Sequence, residues 1–337
     1  MDLDREMAEF AQAVARLRAE VAKAVVGQEE AVEQILVCLI AGGHALLEGV
    51  PGLGKTLLVK TLARCLSLRF SRIQFTPDLM PADILGTNVI VEDERGGKRF
   101  RFQAGPIFGQ IVLADEINRA TPKTQSALLE AMQEHAVTVA GERHELEEPF
   151  LVLATQNPIE MEGTYPLPEA QLDRFFFKVR IPAPDEETLV RIVEATTGRG
   201  AGEAAAVLDA GGVLAMRALC RRVPVADPLV RWAARLVRAT APDEADAAPA
   251  ARKYLRYGAG VRGAQSLVLA AKAQALLEGR AHVSFGDLRG AAAPALRHRL
   301  ILNFEGEAAG VTTDAVIEEA LAHLPALPPE VARLDRG

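Results

Sequence analysis

A glycine-rich turn at residues 49–56 constrains this chain more than any other feature. It reads Gly-Val-Pro-Gly-Leu-Gly-Lys-Thr and fits the pattern G-x-x-x-x-G-K-[ST]. An apolar run at 44–48 predicts a strand before it, and an amphipathic run at 56–66 predicts a helix after it. A turn of this kind that opens a helix directs several backbone N–H groups at one point, where the helix dipole adds about half a positive charge. The sequence therefore predicts a site for a di- or triphosphate.

The turn also supplies side chains for phosphate chemistry. Lys55 is expected to reach the outer phosphates, and the Thr56 hydroxyl is expected to be a ligand of Mg²⁺. The alternative is a glycine turn followed by a chance Lys-Thr pair, which the flanking strand and helix disfavour. The predicted binding residues of this segment are Gly49, Val50, Pro51, Gly52, Leu53, Gly54, Lys55, Thr56 and Leu57.

The composition limits the classes of protein to which the chain can belong. Its 337 residues are enough for about two domains, and a hydrophobic content of 49% makes global disorder unlikely. The net charge of −7 argues against a surface built to coat nucleic acid. Three scattered cysteines suggest reduced, buried thiols in a cytoplasmic protein. The charged N-terminus does not resemble a signal peptide, and no apolar run is long enough to predict a membrane span.

The periodicity divides the chain into two predicted domains, at 1–183 and 184–337. Apolar runs in the first domain fit strands of a parallel sheet covered by helices on both faces. They lie at 44–48, 70–75, 111–114, 150–154 and 175–181. Beyond a proline-containing linker the pattern is helical, which predicts an all-helical second domain. Its helices are expected at 186–197, 213–222, 228–239, 261–278, 284–298 and 312–324, with loops at 198–212 and 240–251.

Two segments of the first domain predict β-hairpins that project from the sheet. One spans about 88–103 and turns at Gly96-Gly97, and the other spans about 136–148 and turns near Gly141. Such hairpins either contact a partner or only decorate the surface.

Acidic and polar residues follow two of the predicted strands. Asp115 and Glu116 end the run at 111–114, where acids face the crevice in which open α/β sheets bind ligands. Asp115 is expected to hold Mg²⁺, and Glu116 to orient and deprotonate an attacking water. Asn157 follows the strand at 150–154 and could bond the γ-phosphate or the same water. The competing interpretations are an acidic helix entry for the pair and simple turn chemistry for Asn157-Pro158.

Two arginines are candidates for stabilising the charge that develops during hydrolysis. Arg174 precedes the last strand of the sheet, and Arg262 opens a helix of the second domain. An arginine in this role supplies about 10³–10⁵ in rate. Either residue could instead be an ordinary surface or salt-bridge arginine.

Together these motifs resemble the AAA+ ATPases, and among them the MoxR group. The matching stretches are Val26-Gly27-Gln28, the glycine-rich turn, Asp115–Ala120, Ala154–Pro158, Glu169–Phe175 and Leu296–Leu300. The resemblance implies a P-loop core with a C-terminal helical lid, and it covers most of the chain.

The resemblance also implies roles for individual residues. Residues 49–56 look like Walker A, and Asp115 with Glu116 looks like Walker B. Asn157 matches sensor 1, Arg174 the arginine finger that reaches a neighbouring subunit, and Arg262 sensor 2. Val26 and Gly27 lie where adenine packs. The hairpins match inserts that line the pore of a hexamer. Before the sensor 2 arginine, Gly260-Val261 replaces the usual Ser-Pro, and Arg119 competes with Arg174 for the intersubunit role.

The expected function is that of an ATP-hydrolysing, chaperone-like motor that acts on protein partners as a ring, with ATP and Mg²⁺ as cofactors. In this interpretation the lid closes on the nucleotide through Arg262. The resemblance suggests a client with a von Willebrand factor A domain. Two alternatives stay open: a nucleic-acid motor, favoured only by Lys98, Arg99 and Arg101 on the first hairpin, and a slow nucleotide-controlled assembly switch.

Overall fold

The computed structural model describes residues 3–92, 97–157, 163–198 and 202–325. Gly96, Pro158 and the predicted lid residues 326–337 lie outside these ranges. The helices are α1 (Leu3–Ala22), α2 (Glu29–Ala41), α3 (Lys55–Cys65), α4 (Pro81–Leu85), α5 (Pro122–Glu134), α6 (Glu169–Leu172), α7 (Glu186–Thr197), α8 (Ala210–Arg222), α9 (Asp227–Ala239), α10 (Pro249–Tyr254), α11 (Val261–Leu277), α12 (Phe285–Leu296), α13 (Phe304–Ala308) and α14 (Thr313–His323). The strands are β1 (Ala45–Glu48), β2 (Phe70–Gln74), β3 (Gly86–Glu92), β4 (Lys98–Ala104), β5 (Ile111–Asp115), β6 (Ala136–Val139), β7 (Glu142–Glu145), β8 (Leu151–Gln156), β9 (Phe177–Arg180), β10 (Leu255–Tyr257) and β11 (Ile301–Leu302).

Five parallel strands form the central sheet in the order β2-β5-β8-β1-β9. The predicted parallel sheet is therefore confirmed. Neighbouring side chains of β1 point to opposite faces, and both faces are buried. Leu47 belongs to the apolar core on the side of α1–α3, whereas Leu46 belongs to the core on the side of α4 and α5. Burial on both faces explains why the inner strands β5, β8 and β1 are largely continuous apolar runs, whereas the edge strand β2 carries Ser71, Arg72 and Gln74.

Two antiparallel hairpins project from the sheet where the sequence has its alternating stretches. β3 pairs with β4, and β6 pairs with β7. Ile90 lies directly opposite Phe100, and both side chains are exposed, at 61% and 74%. The rings of Phe102 and His144 stack with centroids 3.8 Å apart, so the two hairpins contact each other.

Between residues 202 and 325 the regular structure is helical except for one short antiparallel pair, β10 with β11. The loop predicted at 240–251 is wrong at its end, since α10 begins at Pro249. Proline suits the first turn of a helix, where its missing N–H would have no intrahelical partner. Helix α8 begins at Ala210, earlier than predicted, because the Asp209 carboxylate accepts a hydrogen bond from the Gly212 N–H and caps the helix.

The lid packs against the helices that cover one face of the sheet. Helices α8 and α11 contact α2, and α11 also contacts α1. One apolar core runs from these helices through Leu47 to the lid residues Leu267 and Leu276. At the other end of the lid, Arg180 of β9 and Arg297 share the carboxylate of Asp314, at 2.7 and 3.0 Å. The domain boundary near residue 183 stays a prediction.

No helix in the described ranges has both the length and the apolar character that crossing a bilayer requires.

Candidate nucleotide site

The glycine-rich turn joins the end of β1 to the start of α3. Gly52 and Gly54 have φ values of 84° and 74°, in the left-handed region where glycine is not strained. A Cβ on Gly49 would lie 2.8 Å from the Ile181 carbonyl oxygen, so this position also requires glycine. The turn leads directly into α3, whose first N–H groups have no intrahelical partners. The backbone therefore has the form of an anion-binding cradle.

Lys55 is held against this turn by two backbone carbonyls. Its Nζ donates to the oxygens of Gly49 at 2.5 Å and Val50 at 3.2 Å. Burial lowers the pKa of the Lys55 ammonium below its ordinary value, while the carboxylates of Asp115 and Glu116 oppose that shift. The ammonium is therefore beside the cradle, where a phosphate can replace the carbonyls.

A cleft of about 250 Å³ lies at the carboxyl ends of β1, β5 and β8. These three strands are neighbours in the sheet, so the residues that follow them meet at one edge. The cleft is lined by Pro51, Gly52, Leu53, Gly54, Lys55, Thr56, Arg72, Asp115, Glu116, Thr155 and Asn157. The structure thus brings the predicted residues Lys55, Thr56, Asp115, Glu116 and Asn157 together.

Both oxygens of the Asp115 carboxylate have partners. The Thr155 hydroxyl donates to Oδ1 at 2.6 Å, and Arg72 donates to Oδ2 through Nη2 at 2.7 Å and Nε at 3.2 Å. Thr155 also accepts a hydrogen bond from the Glu116 N–H at 2.8 Å. The sequence analysis missed Arg72 and Thr155. Thr155 lies near the end of β8, two residues before Asn157, but Arg72 lies inside β2, where no local pattern indicates a site.

Glu116 has a left-handed backbone, with φ 56° and ψ 50°. This conformation is uncommon for a residue with a side chain and is typical of functional sites. Its Oε2 accepts hydrogen bonds from Gln74 and from Arg119, both at 2.9 Å. The carboxylate is therefore aimed into the cleft by fixed partners. Arg119, the alternative intersubunit arginine, pairs here with the acid of its own chain.

Thr56 and Asp115 offer two oxygen ligands in the same cleft, and oxygen ligands are those that Mg²⁺ prefers. In the part of the chain that the structure describes, no group of three His, Cys, Asp or Glu side chains could hold a metal. Mg²⁺ commonly binds one or two protein ligands together with substrate phosphates. The residues present therefore fit a metal that arrives with a nucleotide.

Val26 and Gly27 do not line this cleft, but they lie beside it. The Gln28 side-chain amide donates to the Leu53 carbonyl of the glycine-rich turn. Gly27 has φ 73°, and a Cβ there would lie 2.1 Å from Cγ2 of Thr188 on α7. Gly27 therefore lies against α7, and the next residue, Gln28, contacts the turn. Leu57 is 47% exposed at the start of α3.

Arg174 and Arg262 line a separate cavity of about 250 Å³, at the amino ends of β1 and β9. Arg174 donates to the Leu129 carbonyl at 3.0 Å, and Arg262 pairs with Asp173 at 3.4 Å. The cleft follows the carboxyl end of β1, so the length of this strand, roughly 13 Å, separates the two sites. The single chain does not bring either arginine to the cleft. The expected closure through Arg262 onto its own nucleotide is not the arrangement seen, because α11 packs against α1 and α2 and its first turn lies at the amino ends of the strands.

Comparisons with known proteins show which family this chain belongs to. Residues 44–177 match the family model of the ATPase family associated with various cellular activities (AAA), and residues 247–320 match the AAA lid domain. A protein named chaperone MoxR1 from Mycobacterium tuberculosis is 42% identical over 304 residues, which cover 90% of this chain and 79% of that one. Protein MoxR from Paracoccus denitrificans is 33% identical over 321 residues, covering 89% and 92%.

A solved structure agrees as well. The crystal structure of a candidate ATPase from Cytophaga hutchinsonii superposes with a TM-score of 0.88 at 40% identity, covering 95% of this chain and 97% of that one. The matches span both the sheet region with its cleft and the lid. The chain belongs to the AAA+ ATPase family and, within it, to the MoxR group.

Proposed function

We propose that this protein binds Mg-ATP in the cleft, hydrolyses it, and uses the energy to remodel protein partners as a ring. The glycine-rich turn and Lys55 hold the phosphates, while Thr56 and Asp115 would hold the metal, which would supply positive charge to offset that of the phosphates. Glu116 orients and deprotonates the attacking water, and Asn157 bonds the γ-phosphate or that water.

The single observation that carries the ring is the separation of the cleft from the arginine cavity. One end of β1 leads to the phosphate cradle, and Arg174 and Arg262 lie near the other end. Each site is incomplete in one chain, and a head-to-tail contact between copies would join them. Contacts of this kind close into rings when the rotation between copies permits. A ring of six follows only from the family resemblance.

Charge supports the same contact. The arginine cavity is lined by Arg174, Arg262 and Arg299, with Asp173 as its acidic residue. This excess of positive charge suits the polyphosphate of a neighbouring subunit. Arg174 and Arg262 are therefore proposed to act together, in trans, on the nucleotide of the next protomer.

A mixing experiment tests this shared site. Glu116→Gln should bind ATP without hydrolysing it, and Lys55→Ala should weaken binding. Arg174→Ala alone should lose most of its turnover. When Arg174→Ala is mixed with Glu116→Gln, interfaces form that combine an intact Glu116 with an intact Arg174, so phosphate release should partly recover. Assembled mixtures without any recovery would contradict the shared site.

The hairpins are proposed to contact the client, because Ile90 and Phe100 form an exposed apolar pair on the first of them. The family resemblance suggests a client with a von Willebrand factor A domain. Protein captured with ATP-loaded Glu116→Gln, which should hold its client without releasing it, would identify the partner. Cys38, Cys65 and Cys220 are buried free thiols, which suits a reducing compartment and a cytoplasmic location.

The two alternative functions predict different results. Arg99 and Arg101 are exposed on β4, so a nucleic-acid motor would retain DNA on filters, with binding that falls as salt rises and hydrolysis that DNA stimulates. A slow assembly switch would show turnover that no protein partner changes.

A further inference from the structure

The sequence motif Arg297-His298-Arg299 has no role in the function proposed so far. The side chains of His298 and Arg299 bond residues just before β9. Arg299 donates to the carbonyls of Phe175 at 2.8 Å and of Asp173 and Phe176 at 3.2 Å each. His298 donates to the same Phe175 carbonyl at 2.9 Å. The Arg299 side chain is only 3% exposed. A single buried guanidinium thus bonds three of the four residues in the stretch 173–176 and holds that stretch to the lid.

Arg174 is one of those four residues. Its neighbour Asp173 accepts a hydrogen bond from Arg299 Nε on Oδ1, at 2.8 Å, and one from Arg262 Nη1 on Oδ2, at 3.4 Å. One carboxylate therefore joins the arginine of the lid motif to the predicted sensor 2 arginine. Arg174 lies between these contacts and the Leu129 carbonyl. The position of Arg174 is consequently fixed to the lid rather than to the sheet alone.

We propose that Arg299 is a positioning residue that joins Arg174 to the lid, which carries Arg262, so that both arginines enter or leave the neighbouring cleft together. This inference rests on the proposed shared site and deepens it. The planar guanidinium suits the task because its five N–H donors have a fixed geometry. A lysine keeps the charge but cannot make this set of hydrogen bonds.

The variant to test is Arg299→Lys, with Arg297→Lys as its matched control. Arg297 belongs to the same motif and is also largely buried, but it donates to Asp314 and the Lys178 carbonyl instead. A misplaced catalytic group costs up to about 100-fold in rate, so kcat of the Arg299→Lys ring should fall about 10- to 100-fold with little change in KM for ATP. Arg297→Lys should keep kcat close to that of the wild type.

Complementation separates positioning from general damage to the fold. Arg299→Lys mixed with Glu116→Gln should recover turnover, since the Glu116→Gln subunits present intact arginines to the Arg299→Lys clefts. Arg299→Lys mixed with Arg174→Ala should not recover, because both lack the same contributed part. Recovery with Arg174→Ala, or none with Glu116→Gln, would overturn the positioning role.

A second variant guards against misfolding. Asp173→Asn keeps the side-chain shape but removes the charge that Arg299 and Arg262 share. It should recover turnover when mixed with Glu116→Gln but not when mixed with Arg174→Ala. If Arg299→Lys unfolds, Asp173→Asn alone decides the outcome. The reference mixture of Arg174→Ala with Glu116→Gln separates the two hypotheses: its failure would overturn the shared site and this inference with it. If the reference mixture recovers turnover but Arg299→Lys or Asp173→Asn does not behave like Arg174→Ala, only the positioning role would be overturned.

Discussion

The Arg72 guanidinium donates two hydrogen bonds to Oδ2 of Asp115, at 2.7 and 3.2 Å. A positive charge thereby occupies one oxygen of the carboxylate that is proposed to hold Mg²⁺. If Asp115 holds Mg²⁺, the Arg72 contact would have to break or the two cations would have to share the carboxylate. Arg72 is partly exposed, so the pair is worth about 1 kcal/mol or less.

Replacing Arg72 by glutamine should therefore strengthen the apparent affinity for Mg²⁺. We expect the Mg²⁺ concentration for half-maximal ATP hydrolysis to fall by roughly three- to fivefold, corresponding to under about 1 kcal/mol. Titration of phosphate release with Mg²⁺ at fixed ATP measures this. Arg69→Gln is the control, since Arg69 pairs with Glu147 outside the cleft. A similar fall in the half-maximal Mg²⁺ concentration of Arg69→Gln would contradict the explanation through the Arg72–Asp115 contact.

Packing between Gly27 and α7 gives a second prediction. Gly27→Ala should destabilise the protein by about 1–3 kcal/mol, because alanine is strained at this φ and its Cβ would overlap Cγ2 of Thr188. Urea unfolding measures the loss, and fluorescence titration with a labelled ATP shows whether binding falls with it. Thr188→Ser removes Cγ2 but keeps the hydroxyl. The double variant should regain the part due to overlap, and an unchanged loss would disprove the contact.

Buried His44 predicts a loss of stability in acid. Its Nε2 donates to the Met132 carbonyl and its Nδ1 accepts from the Val152 N–H. Burial lowers its pKa from 6.5 to about 4; His135 and Arg217 act in the same direction, whereas the Met132 carbonyl and Glu148 oppose it. Above pH 6.5 both states keep the ring neutral. As the pH falls from 6.5 towards 4, only the unfolded chain gains the proton, so the folded state loses stability.

This effect should remove about 2 kcal/mol of unfolding free energy between pH 7 and pH 5. Urea titrations at the two pH values measure it. His44→Gln keeps one donor and one acceptor and should reduce the difference by that amount. A buried His298, whose pKa also lies well below its ordinary value because of burial, should maintain part of the acid sensitivity in the variant. An identical pH dependence in His44→Gln and the wild type would exclude His44 as the cause.

The exposed pair on the first hairpin gives the last prediction. Phe100→Ser should change stability by less than about 0.5 kcal/mol, since the ring packs against little. Basal ATP hydrolysis should remain, while stimulation by an unfolded protein such as casein should fall. Tyr257→Ser, at an exposed aromatic on the lid, is the matched control. Equal stimulation of both variants would argue against client contact at the hairpin.

Local patterns were sufficient to predict much of the site. The glycine turn and the acids after β5 are short-range signals, and the rule that neighbouring parallel strands share a ligand edge brings Lys55, Asp115 and Asn157 into one cleft. The apolar runs that predicted the five strands of the sheet are also short-range signals. Strands as short as β10 and β11 have no period that a sequence can display.

The rest depends on long-range packing. Nothing near Arg262 indicates that α11 packs against α1 and α2, and this packing moves the arginine to the far end of β1. The contact of Arg72 with Asp115 likewise joins residues 43 positions apart. Such contacts are set by how whole helices and strands are stacked, which the residue types around either partner do not specify.

In the proposed ring, the apolar interior shared by the N-terminal helices, the sheet and the lid would make each copy move as one rigid body. A ring of such rigid subunits would move at the interfaces between copies and not within a copy. Hydrolysis of one nucleotide would then displace the adjacent copy first. A client polypeptide bound at the hairpins would move only as successive interfaces rearrange.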